Sequence, residues 1–474
     1  MRFARVVGVT ALAAVACSTG EPARPGAAGT TIETRDFTSG TRLRARAWDV
    51  DGALVLRELV DMERGEACAF ADGGIWNLGP GPSYWCLPVG LARHDAGTGP
   101  FSVFADRSCS RAVAVSPAEG PAAYAVVRPV DACAAPPEVH RAGEAQRLVP
   151  WVFDGAECRR ATLEVVVQSL GERLPLESFV RAVEQVEVRG SRIASLVAVT
   201  ADGARMTLGG FDLLRGEPVR TEQPRAGALR WVPARVAFEG AGEILFGDPT
   251  CTASVATKIA RDASCPLTAA LVFEDECGTS RFHELGPPIE RSRLHARDPL
   301  EGDACAPFGR DGVLAYERGR AIPPEAHAPA FVVEVGGHIV RRRGYTGGGA
   351  VAAWGELIDV ASGEPCGPAL AHDGVQRCLP IASASATLFA DADCTVAAFE
   401  QPVLACEQAP ARRFVQTSGE DGAHVLEITG ETAELYERTN GRCRPHASIV
   451  PSRGFSVTEA DVTRFALVVE REPE

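Results

Sequence analysis

Arg42 to Val50 alternates apolar and polar residues, Asp51-Gly52 follows, and Ala53 to Val60 resumes a strand-like run. Alternation with period two puts apolar side chains on one face, and Asp-Gly between two such runs supplies a turn needing positive φ. The pattern predicts a β-hairpin. It returns at Arg192 to Thr200, Asp202-Gly203 and Ala204 to Leu214. Phe179 to Val183, Phe331 to Val335 and Phe465 to Val469 are three further strand-like runs. Leu176 to Val186 taken alone has helical spacing, with apolar residues at 176, 179, 180, 183 and 186. Its counterpart in the middle of the chain carries Pro323, Pro324 and Pro329, which a helix interior rejects, so strand is expected for all three. The sequence supports no helix of three or more turns.

These elements recur with a set of cysteines. Gly65-Glu66-Ala67-Cys68, Cys86-Leu87-Pro88 and Phe104-Ala105-Asp106-Arg107-Ser108-Cys109 form one set. Gly363-Glu364-Pro365-Cys366, Cys378-Leu379-Pro380 and Phe389-Ala390-Asp391-Ala392-Asp393-Cys394 form another. Between them, Phe246-Gly247-Asp248-Pro249-Thr250-Cys251 keeps the last motif, while Val219 and Trp231 stand where the first two cysteines belong. Cys109, Cys251 and Cys394 are 142 and 143 residues apart, the signature of an internal repeat. Losing both cysteines together is what a bonded pair allows, so Cys68–Cys86 and Cys366–Cys378 are inferred disulfides. Asp72-Gly73 and Asp373-Gly374 lie between the partners, so each bridge is expected to staple a hairpin.

The remaining cysteines are assigned by proximity along the chain. Cys109–Cys133, Cys251–Cys265, Cys394–Cys406 and Cys277–Cys305 are expected, with Cys158–Cys443 left to tie the first copy to the third. Spacing alone does not prove connectivity. Phe104, Phe246 and Phe389 are expected in the core. Asp106, Asp248 and Asp391 are expected to cap turns, since a device present in every copy is structural.

The expected architecture is all-β: three copies of about 145 residues forming a single β-propeller of about six blades, or alternatively three tandem β-sandwich domains. The divisions are a signal peptide at 1–16, a lipidated cysteine and tether at 17–35, and β repeats at 36–188, 189–336 and 337–474. Arg2 and Arg5 precede a short apolar run from Val6 to Ala16, too short to span a bilayer but suited to a secretory leader. Ala14-Val15-Ala16 fits an ordinary cleavage site. Ala14-Val15-Ala16-Cys17 also resembles a bacterial lipobox, with Leu displaced to position 12. Of fifteen cysteines, lipidation of Cys17 leaves an even number for pairing. The expected location is the bacterial cell envelope, outer membrane or surface, with secreted soluble protein as the alternative.

Net charge is -14, which argues against nucleic acid and anionic membrane as partners. Membrane attachment is therefore expected only through the lipid. Aromatic residues are scarce at 6%, so Val, Leu, Ala and Ile must build the core. The single lysine, Lys258, among many arginines reflects codon usage, and Arg341-Arg342-Arg343 is read as one solvated strand end or turn.

Common catalytic motifs are absent from the sequence, including His-Glu-x-x-His, Gly-x-Ser-x-Gly and the Gly-x-x-x-x-Gly-Lys phosphate loop. His94, His140, His283, His295, His327, His338, His372, His424 and His446 are scattered, and are read as surface or loop residues with no metal site and no cofactor. Asp49-Val50-Asp51-Gly52 is a turn and not a calcium loop; Gly347-Gly348-Gly349 is a flexible turn. Trp76, Tyr84 and Trp85 lie on a segment that is longer than its counterpart, with 17 residues between Cys68 and Cys86 against 11 between Cys366 and Cys378. They are a candidate recognition loop for a protein or glycan, or else they pack over the edge of the copy.

The Gly-Glu-x-Cys, Cys-Leu-Pro and Phe-x-Asp-x-x-Cys series behind a lipobox-like leader resembles the uncharacterised cysteine-rich lipoproteins of high-GC myxobacteria. The resemblance covers most of the mature chain and implies an architecture, not an activity. The expected function is a non-enzymatic, disulfide-braced envelope module for binding or scaffolding. The alternative is an extracytoplasmic hydrolase of propeller type acting on glycans, which needs carboxylates that do not repeat.

Overall fold

The computed structural model describes residues 37–472 apart from 71–82, 97–101, 118–119, 130–135, 154–156, 189–191, 223–228, 240–244, 260–266, 274–279, 299–303, 309–312, 338–339, 348–349, 383–387, 403–411, 420, 440 and 449–451. The leader, Cys17 and the tether lie outside these residues, as do Trp76, His338, Cys133, Cys265, Cys277 and Cys406. Thr34–Glu474 is one compact unit. The described chain is all-β, with 3-10 turns and no α-helix.

Leu43–Val50 pairs antiparallel with Ala53–Asp61, from Leu43 opposite Asp61 to Val50 opposite Ala53. Leu43, Ala45 and Ala47 are buried on one face, as alternation requires, while Val50 is buried on the other against a separate cluster, and the pairing shifts register between Arg46 and Ala47. At the turn, Asp51 has φ 49° and Gly52 φ 87°, the two positive values a tight two-residue hairpin demands. Ile193–Thr200 pairs with Arg205–Asp212 in the same way. Its turn is one residue longer, and only Gly203 takes positive φ.

Each hairpin begins a meander. In the first segment the strand order is Val468–Arg471, Leu43–Val50, Ala53–Asp61, Glu66–Ala69, Leu87–Pro88. In the third it is Phe331–Gly336, Val340–Gly347, Ala350–Asp359, Pro365–Leu370, Gln376–Pro380. In the second, Arg181–Glu187, Ile193–Thr200, Arg205–Asp212, Glu217–Glu222 and Arg230–Pro233 follow one another within an eight-stranded sheet. The edge strand of every meander comes from the preceding segment. Arg181–Glu187 ends the first and pairs into the second, Phe331–Gly336 ends the second and pairs into the third, and Val468–Arg471 ends the third and pairs into the first. The last strand thereby returns to the first hairpin and closes the cycle.

Close approaches obey the same cycle. A Cβ on Gly40 would lie 2.2 Å from Oδ2 of Asp202, and Asp202 accepts from the backbone N–H groups of Arg42 and Leu43 at 2.8 Å each. Only glycine fits where one segment begins against the hairpin of the next.

After each meander the chain forms a smaller body. Ala92–Asp95, Val113–Val115, Tyr124–Arg128, Glu138–Leu148 and Val165–Leu174 close a barrel; Val236–Glu239, Ala256–Ile259, Ala269–Phe273, Ser280–Pro288 and Val313–Ala321 close a second. Each is sealed by a parallel pair, between Ala92–Asp95 and Tyr124–Arg128 and between Val236–Glu239 and Ala269–Phe273. Ala92, Ala114 and Ala125 fill one interior and Ala237, Ala256 and Ala270 the other, all fully buried. Small side chains let a five-stranded barrel close without aromatic filling, which explains how so few aromatics suffice. In the third segment the described counterpart is a four-stranded sheet, Ala398–Pro402, Ser452–Glu459, Gly422–Thr432 and Phe414–Gly419. A three-stranded ribbon accompanies each body. The described chain is thus all-β, built of several sheets and small barrels.

The ribbons correct the cysteine assignments. Cys109 is bonded to Cys158, Cys251 to Cys305 and Cys394 to Cys443. The expected Cys109–Cys133, Cys251–Cys265, Cys394–Cys406, Cys277–Cys305 and Cys158–Cys443 bonds are therefore incorrect, and no disulfide joins the first copy to the third through Cys158. Nearest-neighbour assignment fails because an antiparallel ribbon brings distant strands together: Trp151 lies opposite Phe104, and Phe153 opposite Cys158. Sequence separations of 49, 54 and 49 carried the repeat all along. Cys68 is bonded to Cys86 and Cys366 to Cys378, each across a meander edge.

At the Phe-x-Asp-x-x-Cys turns, Cys109, Cys251 and Cys394 adopt φ 50°, 52° and 52°. Asp106 accepts from the N–H groups of Ser110 and Arg111, Asp248 from Thr252 and Ala253, and Asp391 from Thr395 and Val396. Such donors favour the charged carboxylate, and Asp106 falls to about 2, with the N–H of Ser110 the leading cause.

Candidate functional site

A feature present once is a better functional candidate than one present in every segment. At the seam between the third and first segments, what sets the cleft apart is a buried arginine, Arg377, in its lining. Val468–Arg471 crosses to pair with Leu43–Val50, and a cleft of about 920 Å³ opens beside the crossing. Asp49, Asp51, Arg377, Arg464, Leu467 and Arg471 line it, with Phe465 beneath. Arg377 is buried and gripped: its Nη2 donates to Asp373 Oδ2 at 2.7 Å, and its Nη1 to the carbonyl of Phe465 at 3.2 Å. Arg471 Nε lies 2.7 Å from Asp49 Oδ2. Arg464 reaches Glu427 at 3.2 Å and places its guanidinium 5.3 Å from the Phe414 ring centre. Leu467 and Val469, 56% and 54% exposed, give apolar surface beside these charges.

The seam between the first and second segments carries a smaller cleft of about 390 Å³, lined by Arg42, Trp85, Phe179, Arg181 and Asp202. Trp85 stands where the larger cleft has Arg377, one residue before the Cys-Leu-Pro cysteine, and Arg181 lies 5.9 Å from its ring centre. Tyr84 is not part of an exposed platform. Ser83–Trp85 pairs with Arg181–Glu187, which buries Tyr84 and lets its hydroxyl donate to Glu184. Burial and the Glu184 charge push the phenol far up.

Two histidines are core residues, contrary to the surface assignment. His94 is buried, with Nδ1 3.0 Å from the carbonyl of Val113, and burial pushes its pKa down. His327 is buried where the other segments have Phe179 and Phe465. Each of these residues immediately follows a 3-10 turn: Leu176–Ser178, Pro324–Ala326 or Val462–Arg464. Neither ring nitrogen of His327 has a hydrogen-bond partner. Burial, then the charges of Arg215, Arg192 and Arg230, lower it to about 4.

Among the described residues, three others converge, all in the third segment. Ala371, after Pro365–Leu370, bridges in parallel to Ala423, and the N–H of His372 donates to the carbonyl of Ala423 at 3.0 Å. This crossing needs glycine at 422, where φ is 131° and a Cβ would lie 2.7 Å from the carbonyl oxygen of Ala371. It stacks the His372 ring on that of His424, centres 4.6 Å apart and planes at 9°. His424 Nδ1 is 2.9 Å from Glu459 Oε1, and Nε2 is 2.9 Å from Asp421 Oδ1. Glu459 and then Asp421 raise the His424 pKa, and Asp421 is lowered in return. His372 Nδ1 is buried without a partner. Sequence reading missed this group because its members stand far apart in the chain. The available signal was that the His372-Asp373-Gly374 turn has histidine where the first copy has Ala71.

A family model described as "Family of unknown function (DUF7481)" matches residues 171–457. The chain belongs to that family. The matched region begins on the strand leading to the first seam and takes in His372, Asp421 and His424, while Glu459 lies two residues beyond it. Membership in DUF7481 brings no activity with it. No curated protein and no solved structure matches the chain.

Proposed function

We propose that this DUF7481 chain is a non-enzymatic, disulfide-braced module of the bacterial cell envelope, tethered by lipid on Cys17, that binds an anionic glycan or protein ligand in the cleft between its third and first segments. The observation that carries the binding role is the placement of Arg377, Arg464 and Arg471 around one cleft with apolar Leu467 beside them. Guanidinium groups suit carboxylate-bearing ligands, and the volume falls in the range of small-ligand sites. Five disulfides among the described residues fit an oxidising compartment. The leader at 1–16 and the resemblance to myxobacterial lipoproteins support the anchor. Strand exchange from segment to segment supports one body divided at 36–188, 189–336 and 337–474, with the copies arranged about a common axis as in a propeller.

Labelling cells with radioactive palmitate tests the anchor: label on the native protein and none on Cys17→Ser is expected, and an unlabelled native protein removes it. A glycan array including uronic-acid and sialylated chains tests the ligand. Binding that weakens at least tenfold in Arg464→Ala with Arg471→Ala is expected. Binding indifferent to both changes sinks the cleft as the site.

The glycan hydrolase reading rests on Asp49, a carboxylate lining the same cleft that has no counterpart in the second hairpin. It requires turnover of a glycan, abolished by Asp49→Asn, and its absence across the array leaves the binding module.

A further inference from the structure

We propose that His372, His424 and Glu459 form a binding site for a divalent first-row transition metal, with Zn²⁺ as the representative ion. One ligand atom from each residue lies within 4.8 Å of the other two. Two imidazoles and one carboxylate are a donor set that borderline-soft ions prefer to the all-oxygen shells of Ca²⁺ or Mg²⁺. The 2.9 Å between His424 Nδ1 and Glu459 Oε1 is close to the ~3.3 Å separating neighbouring ligands around a tetrahedral ion with bonds of about 2.0–2.1 Å. The ion takes the place of the proton these atoms share, and that proton is released to solvent.

The surroundings are those of a metal-binding histidine. Asp421 accepts from His424 Nε2, the carboxylate partner that fixes the tautomer of a metal-ligating imidazole. A Cβ on Gly419 would lie 2.8 Å from both Asp421 Oδ1 and His424 Nε2, so that side of the ring is closed and the Nδ1 side faces Glu459. His372 Nδ1 supplies a buried nitrogen with no other bond to lose. Coordination requires the His372 ring to turn out of its stack about χ2, a soft torsion.

The equivalent position in the first barrel shows an ordinary alternative. There Val139 lies opposite Leu174, and the preceding residues, Glu138 and Arg173, form an ion pair at 3.0 Å. In the third segment the N–H of Ala460 donates to the carbonyl of Val425, so His424 and Glu459 hold those same two places. A surface ion pair has been exchanged for an imidazole and a carboxylate, and a second imidazole has been added from the meander. The ion would bind Pro365–Leu370 and its turn to Gly422–Thr432 and Ser452–Glu459. That turn also carries Asp373, which grips Arg377 of the seam cleft.

The test is titration calorimetry with ZnCl₂ on the processed full-length protein, purified without a polyhistidine tag and stripped with EDTA. About one equivalent is expected to bind, with a higher melting temperature, and Ca²⁺ and Mg²⁺ are expected to do neither. Glu459→Gln, at a 59% exposed side chain whose loss does not threaten folding, is expected to weaken binding at least tenfold. Asp421→Asn is expected to weaken it roughly 10–100-fold, and Arg173→Ala not at all. Circular dichroism confirms that each variant is folded. No Zn²⁺ uptake by the native protein, or unchanged uptake by folded Glu459→Gln and His372→Gln, overturns the site.

Discussion

A Cβ on Gly210 would lie 2.6 Å from Cζ3 of Trp231. Gly210 pairs with Val219, as Leu59 pairs with Cys68 and Leu357 with Cys366. The middle segment has thus exchanged three residues together: the leucine for glycine, one cysteine for valine, the other for tryptophan. The indole of Trp231, 1% exposed, occupies space that a leucine and a disulfide fill elsewhere. Gly210→Leu is expected to cost more than about 3 kcal/mol in urea unfolding, since neither the ring nor the sheet can move away. Cys86→Ala should cost about 2–5 kcal/mol. In Cys68→Val with Cys86→Trp, adding Leu59→Gly should recover much of the loss; no recovery would show that the three positions do not act together.

His327 gives the fold a pH dependence that its counterparts lack. Its folded pKa of about 4 lies below the ordinary value of 6.5, so it stays neutral in the folded protein while the unfolded chain takes up a proton. The resulting stability is full above about pH 6.5 and falls away as pH drops towards 4. The loss is at most about 3 kcal/mol. His327→Phe, the residue at the two equivalent positions, should flatten the dependence over that window and add stability at pH 5. Unfolding free energies of both proteins at pH 7.5, 6 and 4.5 check this.

Asp61, Asp212 and Asp359 are buried at the same turn, and each accepts from the backbone N–H two residues on. Asp61 and Asp212 are also held by Arg42 and Arg192 at 2.7 Å. At the corresponding position of the sequence the third segment has Ile339. Asp212→Ala should cost about 3–5 kcal/mol because it strands a half-buried guanidinium. Asp359→Ala, whose carboxylate has no arginine partner among the described side chains, should cost about 1–2 kcal/mol less. Equal losses in thermal unfolding would rule out the ion pair as the difference.

The closing strand alternates between core and solvent. Val468 is 7% exposed opposite Val50, and Leu467 is 56% exposed. Val468→Asp should destabilise by about 2–4 kcal/mol and loosen the cycle of sheets, while Leu467→Asp should stay within about 0.5 kcal/mol. Protease sensitivity of Leu43–Val50 in the Val468 variant, compared with the Leu467 variant, reads this directly.

Much of the fold was legible in local pattern. Asp51-Gly52 specified its hairpin through the φ values those residues allow, and the Asp106, Asp248 and Asp391 turns followed from short carboxylates next to free N–H groups. Repetition identified all three as scaffold. Pairing of Cys109 with Cys158 was not read, although the separation recurs, because chain proximity was taken for spatial proximity. The loop at Trp85 was read as one unit, but sheet pairing separates a buried Tyr84 from a half-buried Trp85.

By itself, the sequence determined the strands, the turns, the number of copies and the edge bridges, all of which depend on residues close in the chain or on comparison between copies. Only the tertiary structure decided that Val468 meets Val50, that Gly210 makes room for Trp231, and that His372 lies against His424. Those contacts depend on which sheet edge receives which strand and on backbone crossings such as Ala371 over Gly422. Period-two patterning states which face of a strand is buried; it does not state against what.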